Sequence, residues 1–215
     1  MIDGMEIDAS HVVRTPSELF ALYGEPLERA VRKQLNHIDE HCRAFIAASP
    51  FLILGTQGSR PGACADNSPR GDRPGFVQVA DERTLLIPDR RGNNRLDSLH
   101  NIVENPAVGL LFFVPGITHT LRVNGMASIS AAPGLLERFV VEGKPPRTVL
   151  VVSVNEVYAH CSRALVRADL WNAAKHALEG AVPTFGTMLE AHTCGFVDGK
   201  GLDEENRVRV PLTLY

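Results

Sequence analysis

The sequence has no excess of positive charge. Its 22 Lys and Arg stand against 25 Asp and Glu, for a net charge of -3 and a pI near 6.2. No basic field surrounds the protein, so nucleic acid is not an expected partner and any anion site has to be local. Long apolar runs are missing too. None approaches the roughly 18 residues of a membrane span, and the acidic N-terminus MIDGMEIDASHVVRT lacks an apolar segment. We therefore expect a soluble, cytoplasmic protein that does not enter membranes. Cysteine is scarce and scattered. Cys42, Cys64, Cys161 and Cys194 form no CxxC pair, which argues against a zinc knuckle or a disulfide framework and for free thiols in a reducing compartment. Internal repeats and low-complexity segments are also absent. What is there, 215 residues with 44% hydrophobic and 22% charged, can bury one sizeable core, so one domain with helical additions is expected.

Along the chain, Thr15-Pro16-Ser17-Glu18 is a capping box with proline at the first helical position, and Gly24 stops the helix it opens. A second helix is predicted over LERAVRKQL. A third, from about Asp39, puts Ile38, Cys42, Phe45 and Ile46 on one face. From Phe51 the period changes to that of strands. FLILGTQ is followed by the turn GSRPG, the partner strand ACADNS, a loop from Ser68 to Gly75, and the strands FVQVA and TLLIP. AVGLLFFV reads as a strand buried on both faces. In THTLRVNGMASIS, Leu121, Val123, Ala127 and Ile129 share the inner face, with Arg122 pointing away from it. A helix over Pro133 to Glu142 precedes the long strand TVLVVSVNEVYAHC, where Asn155-Glu156 marks a bend or bulge. The chain is helical again around SRALVRADLWNAAKHALEG. Residues 181–215 have weak periodicity and read as a tail packed on the surface or on a partner.

One stretch has the chemistry of an anion site: Ile87 to Pro106, IPDRRGNNRLDSLHNIVENP. A strand ends, an arginine-rich turn follows, and a helix opens at Asn93 or Asn94. Its first turn offers unpaired N–H groups at the positive end of the dipole. Leu96, Leu99, Ile102 and Val103 would form its buried side, leaving Arg95 and Ser98 to share a ligand. The plain alternative is a solvated basic turn with an asparagine cap. In Ser68-Pro69-Arg70-Gly71-Asp72 the plain alternative is a turn with Asp72 paired to Arg70. Both segments follow strands we expect to be adjacent, so Arg70 and Arg95 could converge on one phosphate. His37-Ile38-Asp39-Glu40-His41 matches the HxxEH pattern of a class of zinc peptidases. The chain turns to strands after it, where a third ligand on a helix would be needed, so a surface helix face is the better reading. His160 and Cys161 point to opposite sides of a strand and cannot form a catalytic dyad.

The order of these pieces resembles the FMN-binding split β-barrel of the pyridoxamine 5'-phosphate oxidase-like superfamily. FLILGTQ, DNSPRGDRPGFVQV, LLIPDRRGNNRLDSLHNIVENPAVGLLFFVPG, THTLRVNGMASI and VYAHCSRALVRADLW carry the likeness, over Phe51 to Trp171. It is similar to a subgroup described as pyridoxamine 5'-phosphate oxidase-related, FMN-binding proteins. The resemblance implies a mainly β, α+β fold: an antiparallel, Greek-key-like split barrel over 51–171, with a helical extension over 1–50 and a helix and tail over 172–215. It implies FMN, its phosphate held by Ser68, Arg70, Asn94, Arg95 and Ser98. Ser98 falls where many relatives carry lysine. Pro88 and Asp89 match positions whose backbone lines the isoalloxazine edge, and Arg122 matches a strand that approaches the ring. A homodimer is implied, with His160, Arg163 and Trp171 contributed across the interface. The ending RVRVPLTLY lacks the arginine- and histidine-bearing segment of authentic pyridoxamine phosphate oxidases, so that reaction is not expected. The resulting expectation is an FMN-dependent oxidoreductase acting on a small molecule. Alternatives on the same fold are a flavin sensor, carrier or storage protein, or one that uses a deazaflavin or haem.

Overall fold

The structure, a computed structural model, describes residues 8–59, 62 and 65–215. The chain divides into two units, Met1–Gln34 and Leu35–Tyr215. In the first, α1 (Pro16–Tyr23) is closed by its capping box. Thr15 Oγ1 accepts from Glu18 N at 3.3 Å, Glu18 accepts from Arg14 N at 2.7 Å, and Gly24 ends the helix at φ 71°. The second helix, α2 (Glu28–Arg32), is shorter than its sequence suggested.

The second unit holds α3 (Glu40–Ala48), β1 (Phe51–Gln57), β2 (Ala65–Gly71), β3 (Gln78–Asp81), β4 (Thr84–Asp89), α4 (Asp97–Glu104), β5 (Ala107–Phe113) and β6 (Thr120–Ser130). It continues with α5 (Pro133–Leu136), β7 (Thr148–His160), α6 (Arg163–Ala168), α7 (Phe185–His192) and α8 (Gly199–Leu212). The strands form one antiparallel sheet in the order β2-β1-β5-β6-β7-β4-β3. Its two ends meet: Arg70 on β2 and Asp89 at the end of β4 form an ion pair at 2.5 Å. A sheet whose first strand touches its last but one has curled into an open barrel, and this mainly β, α+β architecture is the split barrel. Leu52, Leu54, Leu110, Phe112, Val123, Val152 and Val157 fill it, each at 1% exposure or less. The α3 helix lays Cys42 and Ile46 against that core, with Ile38 just before the helix beside them and Phe45 at the margin. Burial pushes the Cys42 thiol up to about 12, so it packs as a small apolar group. Among the described residues no helix is long and apolar enough to cross a membrane.

Several local expectations change. AVGLLFFV is not buried on both faces: Val108, Leu110 and Phe112 face the core, while Gly109, Leu111 and Phe113 are half-buried outside. The barrel covers one face of its sheet, so alternation wins over a uniformly apolar run. Of the loop expected from Ser68 to Gly75, Ser68 to Gly71 is strand and only the rest is loop. Pro69 fits within β2 because β2 is an edge strand, where a missing N–H costs no ladder bond. The turn GSRPG lies largely outside the described residues, as does Cys64. The bulge falls where it was expected, since Asn124 pairs with Glu156 and Gly125 with Val154, which leaves Asn155 unmatched. Residues 181–215 are helical rather than an irregular tail. The contact between α7 and α8 is made by Gly186 against Gly199, and by Asp203 accepting from Gly186 N at 2.8 Å and from the Thr184 hydroxyl at 2.5 Å. Glycines and a capping carboxylate leave no apolar stripe to read.

Candidate cofactor site

Alternation along β2 puts Asp66, Ser68 and Arg70 on one face. The α4 helix begins at Asp97, not at Asn93 or Asn94. Asn94 and Leu96 take left-handed conformations at φ 59° and 61°, and Asn93 Oδ1 accepts from Arg95 N at 3.0 Å. Such backbone, costly for leucine, turns the chain sharply into the helix. The face that α4 buries also differs from the one the apolar residues mark. Ser98, Asn101 and Ile102 are the buried residues of α4, whereas Leu96 is 46% and Val103 77% exposed. Buried Asn101 donates to Thr56 Oγ1 at 3.1 Å, which fixes α4 on β1.

Ser98, 4% exposed, therefore faces β2. Its hydroxyl donates to Asp66 at 2.7 Å and lies 2.9 Å from Ser68 Oγ. With the Ser98 proton spent on Asp66, the Ser68 hydroxyl is the donor between the two. Beyond them the seam opens into a cleft of roughly 970 Å³. Ser68, Arg70, Asp89, Asn94, Arg95 and Ser98, all named from the sequence, line it together. They converge from opposite ends of the sheet, not from adjacent strands as expected. Arg95 itself is 78% exposed and turned onto Asp97, which holds its guanidinium pKa above the ordinary value.

Arg70 is tied to Asp89 rather than to Asp72. Both side chains are under 20% exposed, and the Arg70 Nε is buried with no acceptor. The Thr148 hydroxyl, on the β7 residue in register with Asp89, is buried and unpartnered as well. Asp72 instead holds Arg90 at 2.7 Å and takes a hydrogen bond from the Tyr215 hydroxyl at 2.6 Å. Burial raises the Asp72 pKa, but the hydrogen bonds from Tyr215, Arg73 N and Arg90 outweigh it and hold the carboxyl below its ordinary value. Sequence reasoning missed Asp66, Lys144, Arg147, Thr148 and Tyr215, which also line the cleft. Asp66 was within reach of the alternation rule had the strand been carried through Pro69. Lys144 and Arg147 were visible as a basic loop, and nothing marked Tyr215. In all, six cationic side chains line the cleft against three carboxylates, a local positive site in a chain of net charge -3.

The other sequence-named residues do not line this cleft. Pro88 is buried within β4. Arg122 donates to the Tyr158 hydroxyl at 3.1 Å, on the outer face of β6 as expected. His160 ends β7, Arg163 starts α6, and Trp171 Nε1 donates to Ile117 O at 2.9 Å. His37 is hydrogen-bonded to Asn36 and His41 lies 3.6 Å from Glu40, and no three His, Cys, Asp or Glu among the described residues are placed to hold a metal.

A family model described as pyridoxamine 5'-phosphate oxidase matches residues 38–161. The chain belongs to the pyridoxamine 5'-phosphate oxidase family. That match runs from two residues before α3 to the one after β7, and so contains the sheet, α4 and both ends of the seam. No curated protein matches the chain. Among solved structures, it is similar to HupZ of Group A Streptococcus at 14% identity and TM-score 0.46, over 57% of this chain and 93% of that one. A candidate pyridoxamine 5'-phosphate oxidase of Lactobacillus delbrueckii is 19% identical at TM-score 0.44, over 59% and 98%. An F420 reductase is 18% identical at TM-score 0.39, over 54% and 94%.

Proposed function

We propose that the seam cleft binds FMN and that the protein is an oxidoreductase acting on a small molecule. One observation carries the reading: Arg70 stands in a cationic cleft with a buried Nε that has no acceptor, beside the Ser68–Ser98 hydroxyls and the first turn of α4. Leaving buried donors unpaired costs about 1–3 kcal/mol each. A phosphate brings several acceptors at once, and a guanidinium fork suits it. Arg70, Asn94 and Arg95 would hold that phosphate together with Arg147 and Thr148, the Ser68 hydroxyl turning from Ser98 to donate to it while Ser98 stays on Asp66. Asp66 adjoins Ser98, so like-charge repulsion favours the Arg70 side. Backbone at Asp89 would border the ring system. Bound flavin supplies hydride or electron transfer, and the chain's own residues supply binding and orientation.

The reading extends to a homodimer. Phe51 and Phe113 pair on the outer face of the sheet with ring centroids 6.1 Å apart, and Met126 on the same face is 42% exposed. A second copy over that face would cover them and bring Arg122, His160, Arg163 and Trp171 towards its neighbour's flavin. Light scattering should return twice the 23.4 kDa chain mass. The flavin itself is tested by the absorption spectrum and native mass of freshly purified protein, followed by titration with FMN. A colourless protein that takes up no FMN would sink the proposal, and a retained deazaflavin or haem mass would replace its cofactor. Reduction of the bound flavin by a nicotinamide cofactor, then reoxidation by candidate acceptors, separates an oxidoreductase from a flavin carrier.

A further inference from the structure

Past Tyr215 the seam continues into a second cleft of roughly 440 Å³, walled by the turn after β2, the turn after β4 and the end of α8. One acidic side chain lines it, Asp72, whose capacity is already taken. It is 4% exposed and accepts from Arg90 Nε at 2.7 Å, from Arg73 N at 2.7 Å and from the Tyr215 hydroxyl at 2.6 Å. Arg90 is committed in turn, donating also to Phe139 O at 2.7 Å and lying 5.3 Å over the Tyr215 ring. Three further guanidiniums line this cleft. The side chains of Arg73 and Arg91 have no hydrogen-bond or ion-pair partner among the described residues, and Arg209 shares exposed contacts with Glu205 and Asn206. Cations gathered around a neutralised carboxylate repel one another until an anion enters, and guanidinium forks favour one with several oxygens.

Tyr215 is the wall common to both clefts. Its ring and hydroxyl meet Arg90 and Asp72, and its backbone oxygen accepts from Lys144 Nζ at 3.1 Å. It thereby joins the turns after β2 and β4 to the segment before β7. We propose that the outer cleft is a second anion site, taking the phosphate or pyrophosphate group of the molecule that exchanges electrons with the flavin next door. This assignment rests on the flavin reading above. A cleft of this volume lies in the range of small-molecule sites, and its position lets one ligand anchor there while its reactive end reaches past Tyr215.

The test is calorimetric titration of FMN-loaded protein with inorganic pyrophosphate, for wild type and for Arg73→Ala/Arg209→Ala. Both residues line only the outer cleft and sit on the surface. We expect one saturable site, weakened about tenfold or more in the variant, with FMN affinity unchanged. No saturable binding, or equal affinity in the variant, overturns the proposal, and citrate binding tighter than pyrophosphate overturns its phosphate class. If the protein takes no FMN, the same titration is run without it. Pyrophosphate binding that the variant loses then keeps the anion site and overturns only its tie to a flavin.

Discussion

Removing Arg70 should have two separable effects, because its guanidinium both closes the barrel seam and faces the cleft. The ion pair with Asp89 is 2.5 Å long and its partners are 18% and 17% exposed, so it lies between an exposed pair, worth roughly 0–1 kcal/mol, and a fully buried one. Arg70→Ala leaves Asp89 partly buried without its cation and should cost about 1–3 kcal/mol of stability. Asp89→Ala should cost a comparable amount, since it strands Arg70, whose Nε already lacks an acceptor. The double variant loses the pair once, so its destabilisation should fall short of the sum by about 1–2 kcal/mol. FMN affinity should behave differently. Arg70→Ala removes charge-assisted contacts to the phosphate and should weaken binding roughly 10- to 100-fold, and Asp89→Ala in that background should not restore it. Urea denaturation followed by Trp171 fluorescence and circular dichroism measures the first quantity, and quenching of FMN fluorescence the second. Additive stabilities would mean that the two ends of the sheet are not held by this pair. Recovery of FMN affinity in the double variant would mean that Arg70 shapes the seam without holding the phosphate.

Ser98→Ala, at a buried hydroxyl shared with Asp66 and Ser68, should weaken FMN binding more than Arg95→Ala, at an exposed side chain already turned onto Asp97; FMN titration of the two variants ranks them, and the reverse order would refute the geometry. Gly125→Ala should destabilise by about 1–3 kcal/mol or more in urea, because a Cβ there would sit 2.1 Å from the Ser153 carbonyl oxygen beside the bulge, and an unchanged midpoint would show that the two strands give way easily. The Asp72–Tyr215 latch has two pH limits. Asp72 titrates below its ordinary 3.8, so its stabilisation is present above that value and lost as pH falls through the lower folded pKa. Tyr215 titrates above its ordinary 10.0 because Asp72 accepts its hydrogen bond, so its stabilisation is present below pH 10 and lost as pH rises through the folded value. Phenolate absorbance should show a late-titrating component that disappears in Tyr215→Phe; an identical titration in the variant would exclude the latch.

The elements were largely legible because their signals are local. The Thr15 box, the alternation of FLILGTQ, the asparagine-proline stop after Glu104 and the bulge at Asn155 each depend on neighbours a few residues away. Most residues of the cleft were legible too, since Arg70, Asn94, Arg95 and Ser98 belong to two short polar turns between apolar runs. Their roles were not. Counting from Asn93 put the helix start too early, because nothing in the sequence marks Leu96 as left-handed, and the hydrogen bonds of Ser98 and Asn101 to β2 and β1 turned Val103 from the expected core to solvent. Ion-pair partners misled in the same way. Asp72 is two residues from Arg70, but adjacent strand ends diverge and pairing was decided by the curl of the sheet.

The sequence by itself determined most of the strands, the one-sided burial along β6 and the absence of a basic field, all of them carried by residue type and short spacing, and its resemblance over Phe51 to Trp171 pointed to the family. Tertiary structure alone decided that the ends of the sheet meet at Arg70 and Asp89, that Ser98 lies buried against Ser68 and Asp66, and that Tyr215 stands between two cationic clefts. Those contacts join residues up to 143 positions apart, and no spacing rule reaches that far, because barrel closure sets them through the summed twist and packing of seven strands.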